Sequence, residues 1–284
     1  MTVLEGIQKS TEFLAKKEVD TPRLQAELLL AHVLNLPRMK LYLNFERVLT
    51  DPETNTFRDL VKRRSQREPL QHITGSTSFC GLEITVNRNV LIPRPETELL
   101  AEAGWQFLNQ LPPAEPPRAL DFGTGSGCIA IALAVKSPAA RITALDISPA
   151  ALELAQQNAA RHQVAERIEF AAGDGFRALP PAAIFDLIIS NPPYIPTAEI
   201  ATLDPEVRDF DPRGALDGGA DGLDFYRRLA VEARPFLKPG GKLMLEFGDG
   251  QAEAIQKILE TQKWIVEAIR ADYTARHRIL IAQC

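Results

Sequence analysis

Ala119-Leu120-Asp121-Phe122-Gly123-Thr124-Gly125-Ser126-Gly127-Cys128 is a short apolar run that passes through an acid and three glycines into a helical pattern reaching Val135. A strand that turns through glycines into a helix is the repeating unit of an open α/β sheet, so this stretch predicts where such a sheet begins. Glycines there let backbone N–H groups approach a ligand at a helix N-terminus, which favours negative charge. Gly123, Thr124, Gly125, Ser126 and Gly127 are therefore candidate binding residues. A dinucleotide fingerprint would need glycine at position 128, where the chain has Cys128, and a nicotinamide-dependent oxidoreductase is disfavoured on that ground.

C-terminal to this turn the periods alternate. Strands are expected at Ile142 to Asp146, Ile168 to Ala171, Ile184 to Ser190, Lys242 to Phe247, Trp264 to Ile269 and Arg278 to Ala282. Helices are expected at Pro149 to Arg161, near Leu223 to Phe236 and at Gln251 to Thr261, with Pro239-Gly240-Gly241 as a turn before a strand. This is the pattern of a doubly wound, mostly parallel sheet with helices on both faces. Asp146, about 20 residues past the glycine turn at the next strand end, is placed to accept from ribose hydroxyls.

N-terminal to the turn, the proline-rich Leu111 to Pro117 reads as a boundary or loop. Before it come a helix with an acidic first turn, through about Asn109, and a β-hairpin around Cys80-Gly81. Residues 1 to about 68 are helical in period, with Leu4, Ile7, Thr11 and Leu14 on one face. Thr21-Pro22 and Asp51-Pro52 read as N-caps followed by proline. The basic run Lys62 to Arg67 reads as a solvated helix end rather than a nucleic-acid patch. The expected organisation is a helical domain over 1–70, a hairpin connector over 71–95 and an α/β domain over 96–284.

The chain has 284 residues, 45% hydrophobic and 24% charged, with a formal net charge of −5. That balance argues against a surface that grips phosphate backbone along its length and leaves a protein partner open. Cys80, Cys128 and Cys284 lack paired spacing and the four histidines do not cluster, so neither disulfides nor a metal site is expected. With neither a signal-peptide core nor a membrane-length apolar run, a cytoplasmic protein is expected.

Asn191-Pro192-Pro193-Tyr194 follows the apolar run Ala183 to Ser190 directly. Two prolines end that strand and hold Asn191 and Pro192 in extended geometry. The Asn191 side-chain oxygen and a neighbouring backbone carbonyl can then accept both N–H bonds of a planar NH2 group, with Tyr194 available to stack on it. An amide or a nucleobase amine suits such a pair. An amide nitrogen is a poor nucleophile because its lone pair is delocalised, so acceptors that orient it and strengthen as it pyramidalises would do the main catalytic work.

The acid followed by GxGxG at Asp121 to Gly127 resembles motif I of S-adenosylmethionine methyltransferases. Taken with it, Pro69-Leu70-Gln71-His72-Ile73-Thr74-Gly75, Ile92 to Glu98, Asn191 to Ile195, Ala215 to Gly219 with Asp221-Gly222-Leu223, and Leu245-Glu246-Phe247-Gly248 resemble the HemK/PrmC-type peptide chain release factor glutamine methyltransferases. The resemblance spans nearly the whole chain. It implies a seven-stranded, mostly parallel Rossmann-like methyltransferase domain after a small helical domain. It also implies methylation of the glutamine amide nitrogen (N5) in the Gly-Gly-Gln loop of class I release factors, with S-adenosylmethionine as cofactor. Carried onto this chain, Gly123 to Gly127 and Asp146 would bind the cofactor. By position, Asp174 after the third strand is placed to accept from the adenine amine and Phe176 to pack on its ring, though either reads equally as loop or core, and Gly175 and Asn191 complete the expected cofactor set. Asn191, Pro192, Pro193 and Tyr194 would bind the glutamine, with Asn191, Pro192 and Tyr194 acting in the reaction. The helical domain would hold the protein partner, and the enzyme is expected to act as a monomer without a stable nucleic-acid partner. The rival acceptors are a ribosomal-protein glutamine and an exocyclic amine of RNA or DNA. Two positions depart from the family pattern: His72 stands in place of tyrosine, read as a surface change, and Gly175 stands where some members carry tryptophan.

Overall fold

A computed structural model describes residues 1–112 and 115–284. Pro113 and Ala114, within the expected proline-rich boundary, lie outside the described residues. The chain divides into two compact units, one of Met1–Ser76 with Asp204–Phe210 and one of Thr77–Leu203 with Asp211–Cys284. A reading along the sequence has no means of placing the segment 204–210 with the first unit.

The first unit is helical, with its longer helices at Val3–Ala15, Pro22–Leu34 and Asp51–Ser65. Val3, Ile7 and Leu14 of the first helix pack with Leu29, Leu30 and Phe57. Two helices start with capping boxes, Thr2 with Glu5 and Thr50 with Glu53, each satisfying two otherwise orphaned N–H groups. The cap of the third long helix is thus Thr50, one residue before the expected Asp51. At the second, Thr21 occupies the cap position in a left-handed conformation without a side-chain cap bond.

The basic run is only in part the solvated helix end expected: Lys62 is exposed, but Arg64 and Arg67 are engaged. Arg64 is 4% exposed; it donates to Gln25 Oε1, to the Glu68 carbonyl and to Glu206 Oε1, while Arg67 donates to Glu206 Oε2. Burial alone would raise the Glu206 carboxyl, but the Arg67 and Arg64 hydrogen bonds outweigh it and hold it below its ordinary range. Removing one partner of such a pair costs about 3–5 kcal/mol, because the other charge is left buried. His72, expected at the surface, is also buried.

In the second unit a hairpin of β1 (Ser76–Phe79, its first residue counted with the first unit) and β2 (Leu82–Thr85) turns at Cys80-Gly81. Both turn residues have positive φ, the geometry that matches strand twist in a two-residue loop. Phe79 and Ile84 are buried in the core of this unit, and Asn158 accepts from the Thr85 N–H and donates to the Thr85 carbonyl.

The main sheet follows from β3 (Arg118–Phe122), β4 (Arg141–Asp146), β5 (Ile168–Ala172), β6 (Phe185–Ser190), β7 (Leu237–Glu246), β8 (Ile265–Ala271) and β9 (His277–Gln283). Among the described residues these seven strands run in the order β5-β4-β3-β6-β7-β9-β8. Neighbours from β5 to β7 are parallel, and β9 is antiparallel to both β7 and β8. β6 reads as a continuous apolar run because both its faces are covered: Leu187, Ile188 and Ile189 are 0% exposed. Burying each of these side chains contributes about 1.5–3 kcal/mol. Pro239-Gly240-Gly241 lies inside β7 rather than before it. Phe185 pairs with Leu237 and Leu187 with Lys242, so the segment bulges out of the ladder and the proline is tolerated.

The chain turns back between β3 and β6, with β4 leaving on one side of β3 and β7 on the far side of β6. The carboxyl ends of the two strands are bound side by side, since Ser190 donates its hydroxyl to the Phe122 carbonyl at 2.6 Å. A ligand crevice in an open α/β sheet forms at such a switch point.

Candidate active site

A cavity of about 290 Å³ opens there, within the second unit. Its walls come from the glycine turn (Gly123 to Ser126), the end of β4 with Asp146, the segment Gly173 to Gly175, and Asn191 with Pro193. Thr97, Phe225 and Arg228 also line it.

The glycine turn differs from the anion cradle expected of it. Gly123 and Thr124 donate their N–H groups to the Leu145 carbonyl, Gly125 donates to Asp146 Oδ2 at 2.8 Å, and Gly127 donates to the Thr124 carbonyl. These donors are already engaged within the protein. Asp121, 0% exposed, accepts from the Thr124 hydroxyl and the Ala130 N–H through one oxygen. Burial pushes its carboxyl up to about 7 against those two bonds. Gly123 and Gly125 have φ of +77° and +53°, and a Cβ on either would meet no atom within 4 Å. The space above them is open, so the backbone conformation, not packing, calls for glycine there.

Asp146 accepts from Gly125 through one oxygen and from the Ser148 N–H through the other at 2.9 Å, while still lining the cavity. Each carboxylate oxygen keeps a lone pair for a hydroxyl donor. Asp174 is engaged by Arg228, whose hydrogen bond, with its charge, holds the Asp174 carboxyl below its ordinary range. A Cβ on Gly175 would fall 2.2 Å from Arg228 Nη2, so the guanidinium occupies the place a side chain at 175 would take. Phe176 does not reach the cavity. It is 4% exposed, 5.2 Å from the Phe122 ring centroid and stacked on Phe236 at 4.8 Å.

Of the Asn191–Tyr194 segment, Asn191 and Pro193 face the cavity, whereas Pro192 is buried. The Tyr194 ring packs against the second core, where burial raises its hydroxyl to about 12. The backbone of the segment is clamped by two later stretches of the chain, one at Gln251 and one at Leu216 to Gly218. Gln251 Nε2 donates to the Tyr194 carbonyl at 3.0 Å, and its Oε1 accepts from the Gly248 N–H. Ile195 donates to the Leu216 carbonyl, and Gly218 donates to the Ile195 carbonyl. Gly222 has φ +76° and a Cβ there would lie 2.3 Å from the Tyr194 carbonyl oxygen, so this close approach admits only glycine. Asn191 Nδ2 donates to Thr97 Oγ1 at 3.1 Å. Thr97, Glu246 and Gln251 have no assigned role in the sequence reading. The first two lie in stretches that carry the family resemblance, which is the signal they leave.

The site joins an open floor beside a carboxylate to a fixed amide at the end of β6, an arrangement suited to a cationic, ribose-bearing ligand next to an NH2-bearing acceptor. Residues 5–75 match the PrmC N-terminal domain and residues 101–203 the Methyltransferase small domain. Two solved folds are similar: a methyltransferase from Pyrococcus furiosus (TM-score 0.53, 21% identity, 78% of this chain and 97% of that one) and the N-terminal domain of human METTL16 in complex with SAH (TM-score 0.51, 16%, 82% of each). At that identity the likeness concerns the fold alone. Release factor glutamine methyltransferases are closer in sequence: that of Geobacter sulfurreducens is 47% identical over 89% of this chain and 87% of its own. The Chlorobaculum tepidum protein is 48% identical over the same shares, and the Koribacter versatilis protein 39% over 100% and 99%. With identity at this level sustained across both domains, the chain belongs to the release factor glutamine methyltransferase family.

Proposed function

We propose that this protein transfers a methyl group from S-adenosylmethionine to the N5 amide nitrogen of the glutamine in the Gly-Gly-Gln loop of class I release factors. The observation that carries the reading is Asn191: a side-chain amide held at the end of β6, tied to Thr97 and opening on the same cavity as the glycine turn. S-adenosylmethionine supplies an electrophilic methyl on a sulfonium. The residues present suit that cofactor, because Asp146 lines the cavity beside an open glycine floor whose Gly123, Thr124, Gly125 and Gly127 N–H groups already donate within the protein.

In this reading Asp146 accepts from the ribose hydroxyls, Gly123 to Gly127 form the floor under the cofactor, and Gly175 with Arg228 borders the adenine. Asn191 Oδ1 and the Pro192 carbonyl accept from the glutamine NH2, orient its nitrogen toward the methyl, and hold it more tightly as positive charge develops there. Pro193 limits where the amide can lie, and the clamped backbone of Tyr194 keeps these acceptors in place. Displacement at the methyl needs orientation more than a strong base. The helical first unit holds the release factor, and the enzyme acts in the cytoplasm as a monomer.

The deciding experiment is incubation with labelled S-adenosylmethionine and a class I release factor, followed by mass spectrometry of the loop peptide. One added methyl on the glutamine is expected. An unmodified glutamine, with label in a ribosomal protein or in nucleic acid instead, would overturn the assignment.

A further inference from the structure

Glu246, at the end of β7, is a carboxylic acid only 2% exposed. Such a group is costly unless it has a task or partners. The Thr97 and Asn191 side chains lie beside its carboxyl, and its Oε2 has no hydrogen-bond partner among the described residues. Thr97 is 3% exposed and accepts from Asn191 Nδ2 at 3.1 Å. A single side-chain amide is therefore approached from behind by two buried oxygen-bearing groups.

We propose that Thr97 and Glu246 are positioning residues that accept the two Nδ2 protons of Asn191 and so fix Oδ1 as the atom turned to the acceptor amine. An asparagine amide is nearly symmetric in shape, and if turned over it would present a donor to a donor. Nothing in Asn191 itself prevents that. A carboxylate behind it does, because an ionised carboxylate can only accept. Thr97 completes the set, its oxygen accepting from Asn191 while its own proton points to Glu246. The negative charge also polarises the amide, which strengthens Oδ1 as an acceptor when the attacking nitrogen turns positive. The proposal rests on the glutamine-methyltransferase reading for its acceptor.

Protonation would undo the arrangement by giving Glu246 a donor of its own. Burial raises this carboxyl to about 7, with Glu96 raising it further and the Thr97 bond, Arg278 and Asn191 opposing. Tyr194 and Tyr226 also face it, and neither titrates near neutrality. Activity should accordingly rise with pH through about 7, a limb that Glu246→Gln removes.

Glu246→Gln and Thr97→Val should each lower kcat on the order of 10- to 100-fold. KM for the release factor and affinity for S-adenosylmethionine should hold within about two-fold in both variants, and Thr97→Ser should restore most of the rate. In an Asn191→Ala background, Glu246→Gln should cost nothing more, since the amide it orients is gone. Equal losses in both backgrounds, or wild-type kcat in the single variants, would overturn the proposal. A second readout does not depend on methylation: the Asn191 side-chain NH2 protons, followed by NMR, should exchange slowly with solvent and speed up in Glu246→Gln. Exchange as fast as that of an exposed asparagine would also overturn it, whereas slow exchange in a protein that leaves the release factor unmethylated would count against the functional reading alone.

Discussion

The glycine turn at Gly123–Gly127 and the Asn191–Tyr194 segment end neighbouring strands of the same sheet, but they are held by different means. The turn is fixed by the next strand along the chain and by its own residues: Gly123, Thr124 and Gly125 donate to Leu145 and Asp146 at the end of β4, Gly127 donates to Thr124, and the acid at its base, Asp121, bonds within ten residues of itself. The acceptor segment is fixed from a distance, by Thr97 on one side and by Gln251 and the Leu216–Gly218 loop on the other. Bonds within one strand-turn-helix unit and to the next strand along the chain make a floor that forms once β3 and β4 pair. Distant bonding makes a position that exists only when the whole unit is folded, which suits a group whose orientation decides the chemistry.

The largest expected effect lies on the acceptor side. Asn191→Ala should lower kcat about 100- to 1,000-fold, the usual cost of removing one preorganised polar group from a transition state. Cofactor affinity should stay near wild type; a parallel loss of cofactor binding would show that the two sides are not separate.

On the turn side, Asp121 sets a pH dependence of stability. Its folded-state value of about 7 exceeds the ordinary 3.8, so the wild type is least burdened below about 4 and loses stability as pH rises to 7. Asp121→Asn keeps the acceptor oxygen without the charge. Its stability relative to wild type, followed by denaturant or thermal unfolding, should therefore climb across that window, by a difference on the order of 4 kcal/mol above pH 7. A constant difference from pH 4 to 8 would contradict an ionising Asp121.

Asp146→Ala should weaken S-adenosylmethionine binding by about 1.5–3 kcal/mol, roughly 10- to 150-fold, measured by calorimetry. Turnover at saturating cofactor should change little. The smallest effect is Gln251→Ala, which removes the bonds to the Tyr194 carbonyl and the Gly248 N–H. About 1 kcal/mol of stability and a few-fold in kcat should be lost. An unchanged rate would show that the Tyr194 backbone is held well enough by the Leu216–Gly218 loop.

How legible each side is in the sequence follows from the same difference. The strand, glycine turn and helix at Ala119 to Val135 can be read because their determinants are contiguous, and Asp146 can be read because the next strand end lies at a regular distance. The position of Asn191 is equally plain, two prolines having stopped an apolar run. Its orientation is not, since Thr97 lies 94 residues away and Glu246 on another strand. Phe176 reads as an adenine neighbour because it lies near Asp174, but an aromatic two residues on can as well point into the core, where it stacks on Phe236. Pro239-Gly240-Gly241 reads as a turn because proline and glycine punctuate strands; only the pairing of Phe185 and Leu187 with β7 shows a bulge within one.

The basic run of the first unit carries a consequence for how the protein is made. Arg67 and its partner Glu206 are 139 residues apart, and Arg64 depends on the same carboxylate. At roughly 5–20 residues per second of synthesis, the helices around Arg64 and Arg67 emerge on the order of ten seconds before the acid that neutralises them. For that interval the nascent helical unit holds two cations lacking the Glu206 charge, and its last stabilising step must wait until much of the α/β unit has been translated.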